Sequence, residues 1–178
     1  MTKAKEIYPT TNNRTINGSN VYSNNWEYSS LRSHLQTNIF TKMFTELEQN
    51  FIKYASRNQL IYNDTTTGSS SLIDKSVYPW IVQNSTRDNI FIHSYVDANQ
   101  FVEFKPSVTM FAVFNGATLV TKNGETYLEY TSSYWLRSPG NTARIGYYVS
   151  SNGDLRTGAV TNSLGILPVV YILKDLGE

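Results

Sequence analysis

The fold is decided by the stretch Tyr134-Trp135-Leu136-Arg137-Ser138-Pro139-Gly140, near the C-terminal end of the sequence. Its two aromatic side chains and one aliphatic side chain predict a short buried strand over residues 134–136. Pro139 and Gly140 end this strand, because proline lacks an N–H donor and glycine permits a positive φ. Arg137 carries five donors in a fixed fork, so it can tie neighbouring loops or a carboxylate to the strand.

More strands follow this stretch. Residues 143–149 have a strand-like pattern, and Asn152-Gly153 predicts a hairpin turn. The strand pattern returns from Gly158, and the apolar run at residues 166–173 closes the sequence.

Two helices are predicted upstream. Residues 29–30 offer a serine cap for the first, with Leu31 and Leu35 one turn apart on one face. Thr45-Glu46-Leu47-Glu48 is a capping box that begins a second helix, predicted to end at Arg57-Asn58.

A polar loop at residues 62–76 separates the helices from a region of short apolar runs and turns. These runs are residues 77–82, 90–96, 101–104, 108–114 and 126–130. Helices that come early and strands that come late, without β-α-β alternation, predict an α+β fold with two helices packed on a mostly antiparallel sheet.

Three segments in order resemble a bacterial and phage domain family of unknown function. The first is the stretch YWLRSPG with its following hairpin and Gly165-Ile166-Leu167-Pro168-Val169-Val170. The second, residues 24–35, is similar to the family pattern NxWxxSSLRxWLN, and the third, residues 88–94, is similar to DKIFLLS. That family is grouped with C-type-lectin-like folds and with the formylglycine-generating enzyme.

The resemblance implies a C-type-lectin-like domain over residues 24–178. The family pattern usually ends in GVRPAL, and here Leu167 replaces the arginine, so any contact of that arginine is absent or supplied elsewhere. The activity of the formylglycine-generating enzyme does not carry over, since its chemistry uses cysteines and this chain has none. The residues that carry the structural signature are Trp26, Leu31, Arg32, Trp135, Arg137 and Pro139.

Composition narrows the function classes. The chain has 178 residues, which favours one domain, and its charged share is only 16%, so Asn, Ser and Thr must build the polar surface. A net charge of +1 does not favour nucleic acid or an anionic membrane as a partner. No apolar run is long enough to span a membrane, and the N-terminal sequence lacks the apolar region of a secretory signal. These features predict a protein made in the cytoplasm, and the family resemblance implies that this is the cytoplasm of a bacterium.

Residues 1–23 are polar and show no periodicity. They predict either a flexible arm outside the domain or an arm that becomes ordered on a neighbouring subunit. In the second interpretation the arm docks through five apolar anchors: Ile7, Tyr8, Ile16, Val21 and Tyr22.

The sequence offers little for catalysis or for a cofactor. His34 and His93 are the two histidines, and packing explains each better than metal binding does. Asp64, Asp74 and Asp88 are too scattered for a calcium loop. We therefore predict no enzyme activity, no metal and no cofactor.

The candidate ligand or partner surface lies on the hairpin after Gly140, where Tyr, Ser and Asn occur together as in adaptable recognition surfaces. An ordinary polar hairpin is the alternative. Arg137 is also open to two interpretations, a ligand-carboxylate site or an internal fork that holds loops. The candidate surface consists of Asn141, Thr142, Arg144, Tyr147, Tyr148, Ser151 and Asn152.

Together with these features, the resemblance to a bacterial and phage family implies a non-enzymatic structural or binding module of a phage virion: a head fibre, a decoration protein or a tail-associated protein. Such a module would dock by its N-terminal arm and display the lectin-like domain. Its partners would be other virion proteins or copies of itself, with a host-surface glycan or protein as a further candidate. The alternative is a bacterial surface or secreted adhesin module that binds carbohydrate or protein. An enzyme of unknown type is the third class.

Overall fold

The computed structural model describes residues 5–53, 55–57, 86–100, 109–110, 114 and 132–173. Its mixture of helices with antiparallel strand pairs confirms the predicted α+β class. The predicted loop at 62–76 and the runs at 77–82, 101–104 and 126–130 lie outside these residues, as does most of 108–114.

The first helix begins where the sequence predicts. Helix α1 (Ser30–His34) has Ser29 as its N-cap, and the Ser29 hydroxyl accepts from the Arg32 N–H at 3.0 Å. The helix continues through a π-helical turn (Leu35–Ile39) into α2 (Phe40–Met43). Leu31 and Leu35 are both buried, as their spacing predicts.

The second helix is shorter than predicted. The capping box is confirmed, since the Thr45 hydroxyl and the Glu48 carboxylate bond each other's backbone N–H, but α3 (Glu46–Gln49) ends after one turn. Two strands follow, β3 (Ile52–Lys53) and β4 (Ala55–Arg57), so the prediction of a helix to residues 57–58 is wrong. Ile52 pairs with Ile172, and this tertiary pairing overrides the helical spacing of the local sequence.

The decisive stretch forms the edge strand of a three-stranded antiparallel sheet. This sheet has the order β7 (Tyr134–Pro139), β8 (Ile145–Val149) and β9 (Leu155–Ala159). Every residue of β7 is buried. The turn at Asn152-Gly153 is confirmed, with Gly153 at a φ of 91°, and β9 begins earlier than the predicted Gly158.

A second three-stranded antiparallel sheet pairs the last strand with two earlier strands. Strand β10 (Val169–Ile172) lies between β3 and β6 (Ile90–Phe91), antiparallel to both. The remaining strand pairs are β4 with β5 (Thr86–Asp88) and β1 (Arg14–Ile16) with β2 (Ser19–Val21).

The predicted strand at residues 90–96 is only partly correct, because β6 ends at Phe91 and helix α4 (Tyr95–Gln100) begins within the run. Ser94 caps this helix. Its hydroxyl accepts from the Asp97 N–H at 3.0 Å, and the Asp97 carboxylate accepts from the Ser94 N–H at 2.9 Å. This reciprocal cap outweighs the strand propensity of the aromatic and β-branched side chains that follow.

Side chains of β7 point alternately into two apolar clusters, as strand geometry requires. Trp135 belongs to a cluster with Ile7, Trp26 and the buried face of α1. Tyr134 and Leu136 belong to the other cluster, beside α4. Strand β7 is therefore covered on both faces.

The predicted N-terminal arm is not confirmed, since residues 5–23 pack on the same chain. Ile7 is only 3% exposed, Val21 is buried, and Tyr8, Ile16 and Tyr22 are half-buried. Strands β1 and β2 form a hairpin whose turn, Asn17-Gly18, has φ values of 49° and 78°, and paired positive φ values are typical of a type I′ turn. The anchors assigned to a partner subunit thus find apolar surface within the monomer.

None of the helices in the described ranges is long and apolar enough to cross a membrane.

Candidate functional site

A buried carboxylate joins two of the three motif segments. Asp88, at the end of β5, has a side chain with 0% exposure, and its Oδ1 lies 2.7 Å from the Nε of Arg32. Its other oxygen accepts from the Trp26 indole N–H at 3.2 Å and from the Thr86 hydroxyl at 2.7 Å. A carboxylate that accepts three hydrogen bonds is compensated for its loss of water.

Arg32 carries this connection across to the loop before α1. Its Nη1 donates to the Glu27 carbonyl at 2.9 Å. The guanidinium therefore links α1, the preceding loop and β5. The hydrogen bonds that Asp88 accepts come from Trp26, Arg32 and Thr86 of the same chain. These bonds hold the loop before α1, helix α1 and strand β5 together, and both oxygens of the Asp88 carboxylate accept hydrogen bonds from them.

Arg137 forms the second connection, between β7 and the segment that follows β6. Its side chain is only 3% exposed, and its Nη2 lies 2.9 Å from the Asp97 carboxylate. Nη1 donates to the Ile92 carbonyl at 2.6 Å, and the backbone N–H of Arg137 donates to the His93 carbonyl at 2.9 Å. Of the two interpretations of Arg137, this geometry favours the internal fork, because the carboxylate it binds belongs to α4.

The groups around Asp97 lower the pKa of its carboxyl group. Burial by itself raises the pKa of Asp97, but the Ser94 N–H, the Arg137 charge and the Ser94 hydroxyl together bring the pKa below its ordinary value. The charged form of Asp97 is therefore the form that the fold stabilises.

The N-terminal residues 5–8, which we call the strap, make backbone contacts with distant parts of the chain. Lys5 and Leu164 exchange two hydrogen bonds, with the Lys5 N–H at 2.8 Å and the Leu164 N–H at 3.3 Å from the opposite carbonyl. The Trp135 indole N–H donates to the Lys5 carbonyl at 2.8 Å. The Tyr8 N–H donates to the Val160 carbonyl at 3.2 Å.

The strap also contacts α1. The Ile7 carbonyl accepts from the Leu31 N–H at 3.3 Å and from the Ser30 hydroxyl at 2.9 Å. The Lys5 carbonyl binds the Trp135 indole and the Ile7 carbonyl binds α1, so the strap connects helix α1 with strand β7.

The Ile7 side chain occupies a groove that a glycine makes possible. A Cβ at Gly146 would lie 2.7 Å from Ile7 Cδ1, which is closer than real Cβ contacts allow. We call this the strap groove. It is defined by Gly146 and by Trp135, Val160 and Leu164, which belong to the same apolar cluster as Ile7.

The structure does not bring the predicted ligand residues into one surface. Tyr147 is 7% exposed and packs edge-on against Tyr95, with 4.7 Å between ring centroids. Tyr148 packs edge-on against Trp135 at 5.9 Å. Both tyrosines lie in the middle strand of the sheet, where each packs against one of the two apolar clusters, so they act as packing residues.

The other predicted ligand residues divide between two turns. Asn141, Thr142 and Arg144 are exposed in the β7–β8 turn, while Ser151 and Asn152 lie in the β8–β9 turn. Since β8 has five residues, the two turns are separated by roughly 16 Å at about 3.3 Å per residue.

The backbone of the β7–β8 turn is held by Ser23 and by Asn24, the first residue of the second motif segment. The Ser23 hydroxyl donates to the Ala143 carbonyl at 2.7 Å, and the Asn24 amide donates to the carbonyls of Thr142 and Ile145 at 2.9 and 3.0 Å. The exposed side chains of this turn therefore stand on a backbone of fixed shape.

The histidines do not join a ligand cluster. His34 and His93 are both half-buried. Within the part of the chain that the structure describes, no three His, Asp or Glu side chains come together as a metal site would require.

A family model described as a domain of unknown function, DUF6273, matches residues 4–174. The chain belongs to this family. A search of curated proteins and a search of solved structures each found no match. The DUF6273 match begins before the strap and ends after β10, so it includes the Arg32–Asp88 and Arg137–Asp97 ion pairs and the strap groove.

The sequence patterns did not reveal the carboxylate partners of Arg32 and Arg137. Asp88 enters the sequence analysis as the first residue of the segment similar to DKIFLLS and as a poor calcium ligand, and neither pattern gives it a partner; Asp97 carries no prediction. The available signals were an aspartate directly before a buried apolar run and the spacing Ser94-x-x-Asp97 of a helix cap. The contribution of Lys5 could not be predicted from its residue type, because its contacts with Leu164 and Trp135 are made by its backbone N–H and carbonyl.

Proposed function

We propose that this chain is a non-enzymatic structural or binding module of a phage virion, with a C-type-lectin-like domain. The observation that carries the proposal is that two arginines of the sequence motifs, Arg32 and Arg137, each form an ion pair with an aspartate of the same chain. In an enzyme or a carboxylate receptor we would expect such groups to face an open site.

The internal charges support a rigid scaffold. Asp88 accepts from three side chains that come from the loop before α1, from α1 and from β5. Arg137 fixes β7 to the segment between β6 and α4. A domain braced in this way presents its surface turns in constant positions, which suits display on a particle.

The assignment to a virion draws on the family resemblance and on the character of the surface. A charged share of 16% leaves a surface built from Asn, Ser and Thr, and neutral polar surfaces suit the many contacts of an assembly. The partners that we propose are other virion proteins and further copies of this chain, and the localisation is the particle.

A bacterial surface or secreted adhesin module is the alternative. It is favoured by the β7–β8 turn, where Asn141, Thr142 and Arg144 are exposed on a backbone held by Asn24. A braced polar turn of this kind can bind a glycan or a protein on a host surface.

Mass spectrometry of density-purified particles tests the proposal, using a culture that produces the chain. We expect its peptides in the particle band in a constant ratio to the major capsid protein, through successive gradients. A chain that remains in the particle-free fraction contradicts the virion assignment. Recovery of that chain from the washed cell surface would favour the adhesin.

A further inference from the structure

Two Asn-Gly dipeptides of the described ranges lie in turns between paired strands. Asn17-Gly18 joins β1 to β2, and Asn152-Gly153 lies in the turn between β8 and β9. Asn17 and Asn152 are both exposed. In such a dipeptide the glycine nitrogen can approach the side-chain amide of the asparagine closely, because glycine has no side chain to hinder it.

The two glycines differ in the state of their backbone N–H groups. The Gly153 N–H donates to the Ser150 carbonyl at 2.9 Å. The same turn is closed by two further bonds, from the Ser150 N–H to the Asp154 carbonyl at 2.8 Å and from the Asp154 N–H to the Ser150 hydroxyl at 3.1 Å. The Gly18 N–H has no acceptor among the residues that the structure describes. Its nitrogen is therefore free to give its proton to the solvent.

The surroundings of the β1–β2 turn leave it open to water. A Cβ built on Gly18 would meet no atom within 4 Å. The hairpin is held at its other end, where Arg14 Nη1 donates to the Tyr28 carbonyl at 2.7 Å and the Arg14 guanidinium carbon lies 3.7 Å from the centroid of the Tyr8 ring. The hairpin is thus fixed at its base, and its turn stays exposed.

We propose that Asn17 is a site of spontaneous deamidation and that the fold protects Asn152 from the same reaction. Solvent hydroxide removes the proton of the Gly18 N–H, and the nitrogen attacks Cγ of Asn17. The new N–Cγ bond forms, the bond from Cγ to the amide nitrogen breaks, and that nitrogen takes a proton from water and leaves as ammonia. Water then opens the succinimide ring at either carbonyl, which gives aspartate or isoaspartate at position 17. This reaction does not depend on the proposed function.

The two products affect the hairpin differently. Aspartate keeps the length of the main chain and tolerates the left-handed conformation of position 17, where φ is 49°. Isoaspartate routes the main chain through the former side chain and lengthens it by one methylene, so the two-residue turn no longer fits the pairing of Ile16 with Ser19. Either product changes the formal net charge of the chain from +1 to zero.

Peptide mapping of aged protein tests the proposal, with Asn152 as a control within the same chain. The full chain would be incubated in mildly alkaline buffer, once folded and once unfolded in urea. Mass spectrometry then follows the conversion of amide to acid at each asparagine, and a chromatographic separation distinguishes aspartate from isoaspartate. Separate peptides report on the other Asn-Gly dipeptides of the sequence, at residues 115–116 and 123–124.

In the folded chain we expect Asn17 to deamidate about five times faster than Asn152, since one hydrogen bond contributes a factor of about this size. In urea the Gly153 bond is lost, and the two rates should converge. Three results would overturn the proposal: equal rates in the folded chain, a preference for Asn17 that is unchanged in urea, or no reaction at Asn17 in the folded chain while the unfolded chain reacts.

Amide hydrogen exchange gives an independent measurement of the two N–H groups. After correction for the intrinsic rate of each residue, we expect the Gly18 N–H to exchange faster than the Gly153 N–H in the folded chain. Equal or reversed protection would contradict the difference in hydrogen bonding on which the proposal depends.

Discussion

Arg32 and Asp88 form an ion pair with 2.7 Å between Nε and Oδ1, and the aspartate side chain has 0% exposure while the arginine keeps 24%. The two residues come from different motif segments of the sequence. Their pairing holds α1 against the end of β5. The Trp26 indole N–H donates to the same carboxylate.

Replacing this carboxylate should be costly. We expect Asp88→Asn to lower the free energy of unfolding by about 3–5 kcal/mol, since it leaves Arg32 without its counter-charge in a largely buried site. Urea unfolding followed by tryptophan fluorescence measures the change. The matched control is Asp154→Asn, where both side chains of the pair with Arg156 are more than half exposed and the expected change is about 1 kcal/mol or less. Similar losses for both variants would contradict the role given to Asp88.

Trp135 combines complete burial with a hydrogen bond to the strap. Trp135→Ala should cost about 3–5 kcal/mol of stability, as for other large buried aromatic side chains. Leu47→Ala is the comparison, because Leu47 is 68% exposed and its truncation should change stability little. A denaturant midpoint for Trp135→Ala that stays close to the parent value would mean that β7 does not lie in the core.

Ile7 and Gly146 should be energetically coupled. We expect Gly146→Ala to destabilise the chain by roughly 1–3 kcal/mol, because the new methyl group meets Ile7 Cδ1. In an Ile7→Val background, which lacks that Cδ1 atom, the same change should cost less.

A double-mutant cycle on urea unfolding measures this coupling, for which we expect at least about 0.5 kcal/mol. Gly18→Ala is unsuitable as a control, since its φ of +78° adds strain. Gly158→Ala serves better, because its new methyl group meets Tyr148 and Asn162 and should be insensitive to Ile7→Val. Additive effects at Gly146 and Ile7 would remove the evidence for the strap groove.

The lowered pKa of Asp97 makes part of the stability depend on pH. A carboxyl group with a lower pKa in the folded state contributes stability above its unfolded pKa of about 3.9, and this contribution is lost as the pH falls through the folded pKa. We expect the advantage of the parent over Asp97→Asn to be constant near neutral pH and to shrink below about pH 4.

Asparagine keeps the shape of Asp97 and an acceptor for the Ser94 N–H, so the comparison isolates the charge. Thermal unfolding between pH 7 and pH 3 would measure it. An advantage that does not change over this range would show that the Arg137–Asp97 pair contributes no charge-dependent stability.

Short-range features of the fold could be predicted from the sequence. The Ser29 cap, the Thr45–Glu48 capping box and the Asn152-Gly153 turn each depend on atoms no more than about four residues apart, so a single segment contains all the information. The buried strand at residues 134–136 was predicted from its aromatic and aliphatic composition. The α+β class followed from the order of these elements.

Only the tertiary structure decided which segments meet. The helix predicted to reach residues 57–58 ends at Gln49, because Ile52 pairs with a strand near the other end of the chain. Arg137 could not be assigned a partner until α4 placed Asp97 beside it. The predicted ligand residues Tyr147 and Tyr148 became packing residues when both faces of β8 were covered.

The N-terminal segment shows the physical reason most directly. Its sequence determined a polar stretch with a few apolar anchors and no periodicity of its own. Its position was decided by a groove at Trp135, Gly146, Val160 and Leu164, none of which is near it in sequence. Local propensity determines the helices and turns that a segment can form. The burial of its apolar side chains depends on surfaces that exist only once distant segments have come together.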